Sequence, residues 1–394
     1  MVALTFDEAR ACVLREVGVS MATETIPLAE AAGRVLAEEI TADRDYPPFP
    51  RSARDGFAVR AADLPGELHI IGEVRAGEMF SRSVAAGEAV EIMTGAPVPD
   101  GADSVVMVEH TERNGERVRI DRIAPPGDNF NPRGIEARGG DAVLSAGVRI
   151  GYAEVAILAT VGHTRVLVYR RPRIAIVATG DEIVEPDEQP GAHQIRNSNA
   201  ASLAVQVCRA GGVPEILPTA RDDYDSTRAC IRDGLGADML LLSGGVSAGK
   251  YDLVEKVLAE LGAEFFFDRV KIQPGQPLVF GKARGKYFFG LPGNPASTMI
   301  TFETIARAAV EKIQGLREPA LNLLRARLTR PFRQKVGLTR FLPARLSSDG
   351  ATIEPEISYG SGDVGAMTRC NAFLVTEPDR EEWAVGDEIR VLVK

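Results

Sequence analysis

The chain is poor in the residues that mark several protein classes. Among its 394 residues there are only four cysteines, four histidines and one tryptophan. Cys12, Cys208, Cys230 and Cys370 stand far apart and form no Cys-x-x-Cys pair. That excludes a small disulfide-stapled fold and a local zinc knuckle, and the cysteines read as reduced or buried thiols of a reducing compartment. His69, His110, His163 and His193 are equally scattered. There is no excess of basic charge either: 46 Lys and Arg face 55 Asp and Glu, a net charge of -9. A protein that holds nucleic acid by its phosphates usually shows the opposite balance. No apolar run is long enough to span a bilayer. The first ten residues carry Asp7, Glu8 and Arg10 without an apolar stretch, unlike a signal peptide. Together these absences predict a cytoplasmic protein with neither membrane nor nucleic-acid partner.

Apolar material, by contrast, is ample: 45% of the residues are hydrophobic, and the length exceeds one ordinary domain, so two to four are predicted. Thr5-Phe6-Asp7-Glu8 reads as a capping box opening a helix. Residues 28–40 carry a second helical pattern. Tyr46-Pro47-Pro48-Phe49-Pro50 then ends helical texture, because proline lacks the amide donor. Short strands are predicted up to about residue 141. Val105-Val106-Met107-Val108 and Val118-Arg119-Ile120 flank Asn114-Gly115, a tight-turn pair. Residues 153–161 are again helical. Between 173 and 315, apolar strands at 174–177, 215–217 and 239–242 alternate with helices at 200–210, 226–234, 253–261 and 297–313. That alternation predicts a buried parallel sheet covered by helices on both faces. The remaining chain, with strands at 323–328, 339–346, 373–375 and 389–393, is β.

The chemistry is predicted at the carboxyl ends of the parallel strands, where open α/β sheets bind ligands. Four polar loops fall there: Thr179-Gly180-Asp181-Glu182, Arg221-Asp222-Asp223, the glycine-rich segment 243–252, and Leu291-Pro292-Gly293-Asn294-Pro295-Ala296-Ser297. Glycines let backbone amides approach a phosphate, and helix N-termini favour its charge. Glu182, Asp222 and Asp252 are oxygen donors suited to magnesium. Each loop has a plainer reading: a helix cap at 179–182, a helix start at Asp222-Asp223, a rigid turn at 292–295. Their coincidence at one sheet edge favours a site. Residues 244–250 match the glycine and lysine spacing of a P-loop, but Tyr251 stands where Ser or Thr would ligate magnesium, so a nucleoside triphosphatase ranks low. Ser52-Ala53-Arg54-Asp55-Gly56-Phe57-Ala58 and Met93-Thr94-Gly95-Ala96-Pro97-Val98-Pro99 read alone as structural turns.

As a set these motifs resemble the MoeA family of molybdopterin molybdenumtransferases, which includes the gephyrin C-terminal domain, along nearly the whole chain and in the same order. The resemblance implies a multidomain α/β plus β fold with four parts. These are a helical linker domain (1–44 plus 141–166), an inserted β-rich domain (45–140), a MogA-like three-layer α/β molybdopterin-binding domain (167–316) and a C-terminal β-barrel (317–394). It implies a reaction in molybdenum cofactor biosynthesis in which adenylylated molybdopterin and molybdate bind with Mg2+, AMP is released, and molybdenum enters the dithiolene. It also implies a homodimer whose cleft is completed by the partner's β-rich domain, and a MogA-type adenylyltransferase as a partner. By motif position, Asp55, Glu182, Asp222 and Asp252 are candidate catalytic residues, the last three also metal ligands. Candidate substrate-binding residues are Thr94, Ser243, Gly244, Gly245, Ser247, Gly249, Pro292, Gly293, Asn294, Pro295, Ser297 and Ser361.

The sequence departs from the family at Arg54, Asn131 and Glu136, and above all at Gln273-Pro274-Gly275-Gln276-Pro277, where the family has Lys-Pro-Gly-Lys-Pro. Glutamine donates to an oxyanion without supplying charge. Lys271, two residues before Gln273 and on the same side of a strand, or Arg269, is expected to replace part of that charge. The neutral pair keeps open a molybdopterin carrier or scaffold, and the near-identity of the two oxyanions keeps open a tungstate-inserting paralogue.

Overall fold

A computed structural model describes residues 3–20, 22–245 and 253–394. The first helix, α1 (Phe6–Glu16), is closed by the predicted capping box. The Thr5 hydroxyl accepts from the Glu8 amide, and the Glu8 carboxylate accepts from the Thr5 amide at 2.8 Å. Its apolar face, Phe6, Ala9, Cys12 and Val13, is buried against distant parts of the chain. Phe6 meets Phe341 edge-on at 5.2 Å, and Arg10 donates to the carbonyls of Thr304 and Pro319.

The second predicted helix is not formed. Within residues 28–40 only Leu28–Glu30 makes a short 3-10 turn, and Gly33 follows with a φ of +79°. Val35 and Leu36 then bridge to Arg149 and Val168, and Ile40–Thr41 pairs with Ala142–Leu144. The apolar residues that mimic a helical period are buried instead beside Val166 and Val168, so tertiary packing overrides local pattern. The helix predicted at 153–161 is present as α2 (Tyr152–Thr160).

Between these segments lies a sheet of strands Ser104–Met107, Gly56–Val59, Glu88–Ile92, Gly66–Val74, Arg117–Ile120 and Glu112–Asn114, in that order. The Asn114-Gly115 turn joins the last two, with Gly115 at a φ of +59°. Contrary to the sequence expectation, the strand Ser104–Met107 is not its partner; it pairs with Gly56–Val59.

The α/β unit is built on β1 (Arg173–Ala178), β2 (Val213–Ile216), β3 (Met239–Ser243), β4 (Glu264–Arg269), β5 (Pro277–Ala283) and β6 (Lys286–Leu291), in spatial order 2-1-3-6-5-4. The first four in that order run parallel, as predicted; β5 and β4 are antiparallel additions that the sequence reading did not foresee. Side chains alternate across the sheet. Ile174, Ile176, Met239 and Leu241 pack under α3 (Ser198–Ala210), while Ala175, Val177, Leu240 and Leu242 pack under α4 (Tyr224–Gly234) and α5 (Leu253–Glu260). Each such fully buried aliphatic side chain contributes about 1.5–3 kcal/mol. The helix from Pro295 to Ile313 includes a π turn over Phe302–Ala306.

The C-terminal strands close a five-stranded barrel: Thr339–Leu346, Thr352–Pro355, Leu323–Leu328, Glu388–Val393 and Ala372–Val375, which pairs back to the first. All four cysteines are free, and among the described residues no helix is long and apolar enough to cross a membrane.

Candidate active site

Parallel strands β1, β3 and β6 end at one rim, and the loops that follow them enclose a cleft of about 520 Å³. After β1, Thr179 is held by its amide to the Ser243 carbonyl at 3.0 Å. Gly180 adopts a φ of +137°, and a Cβ there would lie 2.3 Å from a Glu182 carboxylate oxygen. Only glycine lets the Glu182 carboxylate fold back over the turn. Asp222 reaches the same rim from the loop after β2. The amides of Asp181 and Asp222 each point to the other's carboxylate, at 3.4 and 3.3 Å. The plainer reading suits its neighbour: Asp223 caps α4, accepting from the Ser226 amide at 2.8 Å, which leaves Asp222 to line the cleft.

Gly244 and Gly245 follow β3 with φ of +94° and +64°. A Cβ on either would sit 2.9 Å from the Thr179 hydroxyl, so the strand end needs both glycines. After β6, Pro292, Gly293, Asn294 and Pro295 form the opposite wall. Pro295 starts the next helix, and the Thr298 hydroxyl donates to the Pro292 carbonyl at 2.5 Å. Ser361 of the C-terminal region is tied to this turn. Its hydroxyl accepts from the Asn294 amide at 2.9 Å, and its carbonyl accepts from the Ala296 amide at 2.9 Å.

Pro277, Pro292 and Asn294 also line a second cavity of about 670 Å³, between the α/β unit and the barrel. It holds Gln273, Gln276, Ser297, Ser361 and Arg340. Gly275 carries a φ of +105°, and a Cβ there would be 2.3 Å from a Thr301 methyl. Lys271 lines neither cavity. Its amide donates to the Leu4 carbonyl, and its charge is felt by Glu8. The cation that does enter is Arg340, only 7% exposed. One of its terminal nitrogens donates to the Lys335 carbonyl at 3.1 Å, and its buried Nε has no partner among the described residues. Burial pulls its pKa below the ordinary guanidinium value. The sequence reading missed this residue; its only signal was a basic side chain entering the barrel strand beside Phe341.

Asp55 and Thr94 do come together. The Asp55 carboxylate accepts from the Thr94 amide at 2.6 Å and from its hydroxyl at 2.9 Å, and these two donors, the amide first, hold it below the usual aspartate range. Gly56 beside it is enforced, since a Cβ would fall 1.9 Å from the Val106 carbonyl oxygen. This pair lines neither cavity of its own chain. Ser247, Gly249 and Asp252 lie outside the described residues. Among the described residues no group of three His, Cys, Asp or Glu side chains is placed to hold a metal ion. Glu182 and Asp222 both line the cleft, and carboxylate oxygens are the donors that magnesium takes beside substrate phosphates.

Comparison with known proteins matches these regions to three family models. Residues 4–162 match the MoeA N-terminal region (domain I and II), residues 175–312 a "Probable molybdopterin binding domain", and residues 325–394 the MoeA C-terminal region (domain IV). A molybdopterin molybdenumtransferase of Staphylococcus aureus is 33% identical over 384 residues, covering 95% of this chain and 92% of the relative. The chain belongs to the MoeA family. A molybdopterin molybdenumtransferase of Staphylococcus epidermidis is 32% identical over 378 residues, covering 93% of this chain and 90% of its own. The MoeA fold is equally plain in solved structures. A molybdopterin biosynthesis MoeA protein from Pyrococcus horikoshii OT3 superposes over the whole of both chains with a TM-score of 0.83 at 27% identity. A second P. horikoshii MoeA structure gives 0.75 at 32% identity, covering 100% of this chain and 99% of that one.

Proposed function

We propose that this MoeA-family chain is a molybdopterin molybdenumtransferase that takes adenylylated molybdopterin and molybdate, releases AMP, and inserts molybdenum into the pterin dithiolene. The observation that carries this reading is the pair of adjoining cavities, one rimmed by carboxylates and glycine turns, the other holding a buried, carboxylate-free guanidinium. We read the 1–44 plus 141–166, 45–140, 167–316 and 317–394 segments as its four parts.

In the first cleft, Glu182 and Asp222, with Asp252, would hold Mg2+ and orient the attacking water at the phosphoanhydride. When bound, the ion supplies neutralisation of phosphoanhydride charge. The turns at 243–245 and 292–295 present backbone donors to the phosphate. In the second cavity, Arg340, Gln273, Gln276, Ser297 and Ser361 would receive molybdate, with Arg340 supplying the charge that the glutamines lack. The Asp55–Thr94 pair, which lines neither cavity of its own chain, suits a homodimer in which it faces the partner's cleft. The adenylylated substrate implies an adenylyltransferase of the MogA type upstream.

The test is to incubate the protein with adenylylated molybdopterin, molybdate and magnesium and follow AMP release and pterin-bound molybdenum together. Both products, dependent on Glu182, are expected. The neutral Gln273 and Gln276 favour one second reading, a molybdopterin carrier, which predicts tight pterin binding and neither product with molybdate or tungstate.

A further inference from the structure

Asn199, in the first turn of α3, is the only link among the described side chains that joins the end of β3 to the turn after β6. Its Nδ2 donates to the Ser243 hydroxyl at 2.8 Å and to the Gly293 carbonyl at 2.7 Å. A carbonyl oxygen only accepts, so the amide cannot be turned the other way round: Nδ2 must face Gly293. Both amide hydrogens are therefore used, and Oδ1 is left as a pure acceptor. That oxygen is shielded from solvent and has no donor among the described residues. The Thr179 hydroxyl across the same cleft is in the same condition, buried and without a partner. A native fold seldom leaves a buried polar atom unsatisfied, and two on the wall of one cleft point to a ligand that supplies what is missing.

We infer that Asn199 is a substrate-reading residue whose Oδ1 accepts an N–H from a heterocycle bound in the cleft. The two bonds from Nδ2 act as the clamp that aims it. This rests on the transferase reading, because that substrate carries two rings with N–H donors, the pterin and the adenine. A phosphate cannot serve this atom: phosphate oxygens at neutral pH offer acceptors, and two acceptors repel. The Thr179 hydroxyl, which can either donate or accept, adapts to whichever group lies beside the one that Asn199 reads.

Titration calorimetry on the full chain tests this, using a pterin, its analogue methylated at the ring N–H positions, AMP, and AMP dimethylated on its exocyclic amine. The wild-type protein should bind the unmethylated form of one ring about tenfold more tightly than the methylated form, the worth of one buried hydrogen bond. Asn199→Ala should bind the unmethylated form only as tightly as the wild type binds the methylated form, and leave the methylated form unchanged. Asn199→Asp, which sets an oxygen where Nδ2 met the Gly293 carbonyl, breaks the clamp and should lose the preference as well. Preference for the unmethylated pterin assigns the acceptor to the pterin; preference for unmethylated AMP assigns it to the adenine. The inference is overturned if the wild-type protein ignores methylation in both series, if Asn199→Ala keeps the wild-type preference, or if it weakens methylated and unmethylated ligands alike. Failure of the wild-type protein to bind any pterin or AMP overturns the transferase reading itself, and is told apart from these outcomes by that fact.

Discussion

The cleft at the strand ends is lined by carboxylates and backbone turns, whereas the cavity beside it holds a buried guanidinium and two neutral amides. They share Pro277, Pro292 and Asn294, so a lining with two carboxylates and Arg196 and a lining whose charged side chain is Arg340 sit on either side of one turn. The cleft is walled largely by backbone turns, with Glu182 and Asp222 as its carboxylates. The cavity is lined by the start of the helix that follows the shared turn, through Ala296, Ser297 and Ile300, and takes its positive charge from one side chain, Arg340. A site built from backbone tolerates side-chain drift; a site built on one arginine does not.

The largest expected effect falls on the cleft. Glu182→Gln keeps the shape but weakens the hard oxygen donor set, and should lower magnesium-dependent AMP release by about 100-fold. Full activity in a discontinuous AMP assay at saturating magnesium would put the cation elsewhere. Arg340→Met should come next, raising the molybdate concentration needed for half-maximal insertion by roughly 10- to 100-fold, as befits loss of a charged hydrogen bond. The contrasting control is Lys271→Ala, whose molybdate dependence should match the wild type within about twofold, because that side chain lines neither cavity. A large change there would restore Lys271 as the compensating charge. A gain is expected at Gln276→Lys. A second cation beside Arg340 should tighten molybdate by about three- to tenfold at low salt, and the gain should shrink as salt rises.

The smallest effect concerns Asp55. Its folded-state pKa is depressed by the Thr94 amide and hydroxyl. The latch therefore adds stability above the ordinary aspartate range and loses it as the pH falls through the lower, folded value. Thr94→Ala should move the Asp55 midpoint upward in a carbon-detected NMR titration and leave the neutral-pH melting temperature nearly unchanged. A midpoint that does not move would assign the depression to the backbone amide alone.

Much of this arrangement is legible in the sequence. Glycine after an apolar strand announces a close backbone approach, and Gly180, Gly244 and Gly245 each prove to have no room for a Cβ. The strands β1 and β3 show because both faces are buried and their apolar runs are not interrupted. What escapes is set by distant partners. Residues 28–40 carry a helical period, but their apolar side chains answer to Val166 and Val168, far along the chain. Lys271 and Gln273 share a strand side, yet the chain around Lys271 is drawn to Leu4, and the charge in the cavity comes from a barrel strand instead. Asn199 looks like any polar residue near a helix start until β3 and β6 are brought to either side of it.

The docking of α1 has a consequence for how the chain is made. Its Arg10 donates to the Pro319 carbonyl, 309 residues further on, and Phe6 waits for Phe341. At about 5–20 residues per second of synthesis, roughly 15–60 s pass between the emergence of the helix and that of its partners. During that interval a short amphipathic helix stands without its tertiary support, too short to hold its shape alone. Nascent chains halted before residue 300 should therefore be cut by protease within residues 6–16, while the released full-length chain resists.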